Sequence, residues 1–501
     1  MKLMSASGLR LHVLVIALGS MPTLGSAADH VYRLGPVDNT FRRIALPAPS
    51  LRYGSAVAAG DFNDDNTVDL AIVAIGASEV HVLFGVEWEI GAAPTNKFNE
   101  TVFPIPFELS EPVLASGDFD DDGDDELVIG DGGSGALSDS GIVLVMRFNG
   151  LGWVTQETIE QGAGGYSGVA EAGDRLGSSL AVGDFDNDGY DDLVIGARGE
   201  DVGAVENAGA VLVAYGSSLG ITDARDDLIT RNSDGLTVPP TTSEHYGVQA
   251  ASGDFNADGF DDIAIGATGA RCPNGTDAAG AMVMMLGSAS GIVNTGSRQF
   301  RPGVLGLSGS CTHNIMFGLT LVAGNFDSGD ADDLAIATGD SAVYVLYGES
   351  GMGLVSDGSQ RITPSSLPGG TDGNLHFGAA MAAGRFNANP FDIFPGRSSL
   401  AIGATLDEMD GVAGAGSVSV IPGASSGLLP AQAVRFTSAS FESGPPSAND
   451  LFGATLAGGD FNHDGTRDLA VGIPFANGGG IDRGGVQVLY NSEFVFRDGF
   501  Q

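Results

Sequence analysis

A nine-residue acidic loop recurs seven times along this chain, and no other feature limits the possible folds as sharply. The copies begin at Asp61, Asp118, Asp184, Asp254, Asn325, Arg385 and Asp460, so the unit returns every 57 to 75 residues. The best copies read DFDNDGYDDLVIGA from Asp184, DFNADGFDDIAIGA from Asp254 and DFNHDGTRDLAVGI from Asp460. Such self-similarity marks a repeat architecture, in which each unit buries its apolar face only against its neighbours.

Ahead of most loops stands an aromatic or Leu followed by Gly: Tyr53-Gly54, Leu176-Gly177, Tyr246-Gly247, Phe317-Gly318, Phe377-Gly378 and Phe452-Gly453. The second copy has Pro112-Val113-Leu114 there instead. After each loop come a short apolar run, usually Gly-Ala or a relative of it, and some way on a second run, such as VHVLFG from Val80 or AVLVAYG from Ala210. These runs are short, rich in Val, Ile and Leu, and bounded by Gly, Asp and Asn, which is the pattern of strands. The 78 glycines punctuate turns, since no collagen period is present. Each unit therefore predicts strand A, acidic loop, strand B, variable loop, strand C and a weaker strand D. Seven such units predict an all-β, seven-bladed β-propeller of four-stranded antiparallel blades, spanning residues 29–492. To close the ring, Thr40 to Leu46 is preferred as the outermost strand of blade seven, with Phe494 to Phe496 as its competitor.

The loop has the composition of a calcium cage. Calcium takes six to eight oxygens, and side-chain oxygens at positions 1, 3, 5 and 9 with a backbone carbonyl at position 7 supply most of them. Position 6 needs a residue that tolerates positive φ. Five copies meet these needs. They are Asp61, Asn63, Asp65, Thr67 and Asp69; Asp118, Asp120, Asp122, Asp124 and Glu126; Asp184, Asp186, Asp188, Tyr190 and Asp192; Asp254, Asn256, Asp258, Phe260 and Asp262; and Asp460, Asn462, Asp464, Thr466 and Asp468. The fifth copy places Gly329 where a carboxylate belongs and is expected to bind weakly or not at all. The sixth has Arg385 at position 1 and Pro390 at the turn and is expected not to bind. An EF-hand would need a Glu at position 12 and flanking helices, and neither is present.

Taken together, Phe-Gly, the DxDxDG loop and Gly-Ala resemble the FG-GAP repeat of integrin alpha-chain propellers and their bacterial relatives, over roughly residues 50 to 492. The resemblance implies metal loops on one face of the propeller and ligand binding on the opposite face.

The N-terminus has a positive start (Lys2, Arg10), an apolar run from Leu11 to Leu18 and small residues from Gly25 to Ala28. This is the layout of a signal peptide over residues 1–28, so an exported protein is expected, secreted, periplasmic or on the cell surface. Cleavage would leave 20 cations against 63 acids, a net charge of −43. That charge disfavours nucleic acid as a partner. No later run is long enough for a membrane span. Residues 493–501 are expected to form a short tail. In an exported chain the two cysteines, Cys272 and Cys311, are expected to pair.

No catalytic constellation emerges. His30, His81, His245, His313, His376 and His463 share no metal-binding spacing, and GxSxG and P-loop motifs are absent. Trp88 and Trp153 are expected to pack on edge strands. The preferred function is a binding or adhesion module that presents its B–C loops to an extracellular protein or glycan, with structural calcium. These loops are residues 198–207, 268–279, 405–413 and 474–483. The alternative is a polysaccharide lyase or hydrolase, which would need a convergent polar group at the central channel.

Overall fold

The B runs, such as DLVIGA and DIAIGA, are apolar on both faces and form strands buried along their whole length. Each needs a strand on either side, and the chain supplies them in order. The computed structural model describes residues 41–44, 52–85, 99–273, 275, 278–304, 306–312, 314–373, 375–386, 397–409, 411–438, 447–476 and 483–490. Within these residues seven four-stranded antiparallel sheets form, each made from strands A to D in chain order, except that a small hairpin (Gly423–Ala424 with Gly427–Leu428) lies between C and D of blade six and that D of blade seven comes from the N-terminus.

Blade three is representative, with A at Leu176–Gly183, B at Asp192–Ala197, C at Ala210–Ala214 and D at Asp226–Thr230. Blade four repeats it with Tyr246–Gly253, Asp262–Ala267, Ala281–Leu286 and Val293–Phe300. The A strands of successive blades touch one another around the ring. The last blade is completed by Phe41–Ile44, which pairs antiparallel with Val486–Leu489, so the N-terminal stretch supplies the outermost strand. Phe494 to Phe496, residues 1–28 and the tail lie outside the described residues.

The core is divided into seven apolar clusters, one in each seam between blades. The Phe at loop position 2 anchors these seams. Phe62, Phe119, Phe185, Phe255, Phe326, Phe386 and Phe461 are all buried, including those of the two degraded loops. Trp153 stacks on Phe103 and meets Phe62 and Phe148, so it packs between blades one and two.

The two glycine motifs meet across the seams. A Cβ on Gly196 would lie 2.1 Å from the carbonyl oxygen of Gly247 in the next blade. The same meeting joins Gly130 to Gly177, Gly266 to Gly318, Gly403 to Gly453 and Gly472 to Gly54. In blade one the corresponding residue of strand B is Val73. Blade two, which follows it, lacks the Phe-Gly pair, and its strand A (Pro112–Gly117) pairs with B in an unbroken register. The A–B pairing in blade three slips at the Phe-Gly glycine, which has a φ of 84°. The missing pair in blade two coincides with Val73 in blade one, while blade five carries Ala337 at this position against an intact Phe377-Gly378 pair in blade six.

Candidate functional site

Strand A runs toward the acidic loop and strand B runs away from it. All the A–B loops therefore gather on one face, and the B–C loops lie on the other. Each of the five competent acidic loops is held by its own first residue. In loop three, Asp184 accepts from the N–H groups of Asp188 and Gly189 at 3.1 and 3.0 Å. Asp118, Asp254 and Asp460 do the same in loops two, four and seven. Asp61 does so through Asp65 and Asn66 in loop one. Positions 4 and 6 take positive φ in all five, as in Asp64 and Asn66 (53° and 61°) or Ala257 and Gly259 (55° and 90°). The side chain at position 5 accepts from the N–H at position 7, in Thr67, Asp124, Tyr190, Phe260 and Thr466 alike.

Position 9 closes the cage from below. Asp192 accepts from Phe185 N–H at 3.0 Å with one oxygen and from Gly216 N–H at 2.8 Å with the other. Asp69 and Asp262 make the same two bonds, while Glu126 accepts only from Phe119 and Asp468 accepts from Phe461. Burial pushes the carboxyls of Asp69, Asp192, Asp262 and Glu126 up to about 8, against the opposing effect of these backbone donors.

The cages also contain buried oxygens that nothing satisfies. Asp120 Oδ1, Glu126 Oε1, Asp186 Oδ1 and Asn256 Oδ1 are buried without a hydrogen-bond partner. Leaving such groups unpaired is costly, and a cation relieves that cost. Ligand oxygens of Asp118, Asp120 and Glu126 lie within 4.8 Å of one another, as do those of Asp184, Asp186 and Asp188. Among the described residues no other loop brings three carboxylates this close; loops one, four and seven carry Asn63, Asn256 and Asn462 at position 3.

The fifth loop is wired differently. The Asn325 amide donates to the carbonyls of Gly329 at 2.7 Å and Ala331 at 3.4 Å, so a donor points into the space where ligand oxygens converge elsewhere. In the sixth loop only Arg385 and Phe386 are described, and Pro390 lies outside.

Two groups of residues are not visible from the nine-residue pattern alone. The first is the acid at position 8. Asp125, Asp191 and Asp261 each accept from the N–H of the first residue of the preceding loop, at 2.8, 3.1 and 3.1 Å. Their own N–H groups donate back to that residue's carbonyl, and the N–H of Asp332 does likewise to Asp254. The doubled acids Asp191-Asp192 and Asp261-Asp262 were the signal for this role. The second group is Arg147 and Arg225, which reach the loops of blades two and three from strand C and from the C–D turn.

On the opposite face Cys272 and Cys311 form a disulfide, with a Cα separation of 5.8 Å. It ties the B–C loop of blade four to the segment leading into blade five. His245 and His376 occupy the turn before strand A with positive φ, and the His245 ring is 3.2 Å from the Arg198 carbonyl. No helix among the described residues is long and apolar enough to cross a membrane.

A family model described as FG-GAP repeat matches residues 176–213, 246–281 and 452–489, which hold strands A and B of blades three, four and seven and reach into strand C of each. Phosphatidylinositol-glycan-specific phospholipase D of Bos taurus is 31% identical over 165 residues, covering 33% of this chain and 18% of its own length. Integrin alpha-5 of Xenopus laevis is 27% identical over 226 residues, covering 43% of this chain and 20% of its own. The chain thus spans about a fifth of these relatives. Among solved structures, virginiamycin B lyase from Staphylococcus aureus covers 90% of this chain and 99% of its own, with 9% identity and a TM-score of 0.47, a likeness that carries no argument.

Proposed function

We propose that this FG-GAP-repeat, integrin alpha-like propeller is an exported calcium-loaded scaffold that binds an extracellular protein or glycan through its B–C loops. The observation that carries the calcium reading is the set of buried, unpartnered oxygens on loop residues Asp120, Glu126, Asp186 and Asn256. The donor set is all oxygen, which suits a hard cation. Asp61, Asn63, Asp65 and Asp69, with the carbonyl of Thr67, would hold the ion in blade one. The corresponding residues would do so in blades two, three, four and seven. The ion's contribution is structural: it neutralises carboxylates that otherwise repel one another and ties the ends of strands A and B together.

The B–C loops are favoured as the recognition surface because they vary while the frame repeats. Residues 268–279 include Cys272 of the disulfide, and Arg301 donates to the Arg271 carbonyl beside it. A tethered loop loses less entropy when it binds. The rim before the A strands carries Arg52, Arg175, His245 and His376, but Arg175 is spent on Glu111 at 2.6 Å and His245 on a carbonyl. That arrangement favours binding over catalysis.

A screen of the mature chain against glycan and extracellular-protein arrays, in calcium and in chelator, tests the reading. Calcium-dependent binding that is lost on exchanging residues 268–279 or 198–207 supports it. Binding that survives replacement of every B–C loop contradicts it.

A further inference from the structure

The five competent loops fall into two kinds at position 3, and the difference is matched elsewhere in the structure. Loops one, four and seven carry Asn63, Asn256 and Asn462, whereas loops two and three carry Asp120 and Asp186. Among the described residues only loops two and three have an arginine paired with position 3. Arg147 lies 3.5 Å from Asp120 Oδ2 and also pairs with Asp122 Oδ2. Arg225 pairs with Asp186 Oδ2, and its guanidinium lies 3.7 Å from the centre of the Tyr215 ring.

In two of the three asparagine loops, four and seven, the amide does this work itself; in loop one Asn63 instead accepts from the Asp65 N–H at 3.0 Å through Oδ1. Asn256 Nδ2 donates to Asp258 Oδ2 at 3.0 Å, and Asn462 Nδ2 donates to Asp464 Oδ2 at 3.1 Å. The amide in these two loops thus ties position 3 to position 5; Asn256 Oδ1 is left buried and unpartnered, and Asn462 Oδ1 accepts from the Asp464 N–H at 3.1 Å. An aspartate at position 3 cannot donate and repels position 5. In loop two Arg147 bridges the same two positions from outside. The outer oxygens of Asp120 and Asp186 are occupied by guanidinium, and the inner Oδ1 of each is buried and unpartnered, as in Asn256. Charge is balanced too. Fully ionised, the side chains at positions 1, 3, 5 and 9 carry three negative charges in the asparagine loops and four in loops two and three, where one arginine restores the sum to three.

We propose that Arg147 and Arg225 are positioning residues of the ion sites in blades two and three. Each replaces the asparagine amide, fixing the position-3 carboxylate so that one oxygen faces the ion. Partners of this kind orient ligands without touching the metal. The inference rests on the calcium reading for its purpose, but the pairing itself is testable without calcium.

The test is a double-mutant cycle on the full mature chain, using Arg225→Met and Asp186→Asn, with melting followed in chelator and calcium alone titrated by calorimetry. In chelator, Arg225→Met lowers the melting temperature by about 2 °C. Adding Asp186→Asn recovers most of that loss, because the new asparagine ties itself to Asp188. The double variant has the ligand set of loop four and binds calcium within about twofold of the parent. If the second substitution recovers nothing, Arg225 acts only by stacking on Tyr215 and the proposal fails. If the double variant folds like the parent but loses one calcium site, the amide is no substitute for the arginine and the proposal also fails. A parent that binds no calcium sinks the calcium reading alone, since the cycle in chelator still reports the pairing.

Discussion

The α-carbon of Gly196 in blade three faces the carbonyl oxygen of Gly247 in blade four so closely that a Cβ would stand 2.1 Å from it. Both partners are backbone, so neither can rotate away. Gly196→Ala is expected to cost about 3 kcal/mol. Gly152→Ala, at a position where a Cβ meets nothing within 4 Å, should stay within about 0.5 kcal/mol of the parent. Denaturant midpoints of the two variants check the contrast. Equal midpoints would mean that the seams yield easily and that the two glycine motifs do not interlock.

Ala257 holds loop position 4 at a φ of 55°, where the other four competent loops have Asp64, Asp121, Asn187 and His463. An alanine is strained there, and asparagine tolerates the conformation through local hydrogen bonding. Ala257→Asn should stabilise the protein by about 0.5–1 kcal/mol, read as a raised denaturant midpoint. A lowered midpoint would contradict the strain argument.

How much of this was legible in the sequence depends on what each residue answers to. An ion site fixes residue types at fixed spacing, so Asp184, Asp186, Asp188 and Asp192 stand out as a set, and seven copies disclose the blade count. The Phe at position 2 was equally regular, but burial in a seam leaves no chemical signature that separates it from any core residue. Contacts between blades were hidden. Asp125 serves the loop begun by Asp61, and Arg225 serves Asp186 from a C–D turn placed beside it by the blade's own pairing. The absence of the Phe-Gly pair at Pro112 carries no signal of its own in the sequence, because the strand it borders, with Val73 where most B strands have glycine, belongs to another blade.

Glu200 lies in the B–C loop of blade three, away from the ion loops, and accepts from Gln161 at 2.7 Å. Burial, with the nearby acids Asp174, Glu171 and Asp201, pushes its carboxyl from 4.5 up to about 7. The folded chain therefore holds a proton that the unfolded chain releases at lower pH. Its contribution is full below about 4.5 and is lost as pH rises through about 7. Glu200→Gln should flatten the decline in melting temperature between about pH 5 and 8. A decline as steep as the parent's would place the titrating group elsewhere.

The Cys272–Cys311 bridge spans 39 residues of sequence. A closed loop of that length restrains the unfolded chain by about 3–4 kcal/mol. The double Ser variant should lose about that much stability, with the loss confined to blades four and five in hydrogen exchange. Uniform loss across all seven blades would show that the ring melts as one unit.

Equilibrium dialysis of the mature chain against calcium, with bound ions counted per chain, tests the central claim most directly. The account predicts about five ions at saturation, taken by blades one, two, three, four and seven, and a melting temperature several degrees above that in chelator. A folded chain that binds no calcium and melts identically in both buffers would contradict it.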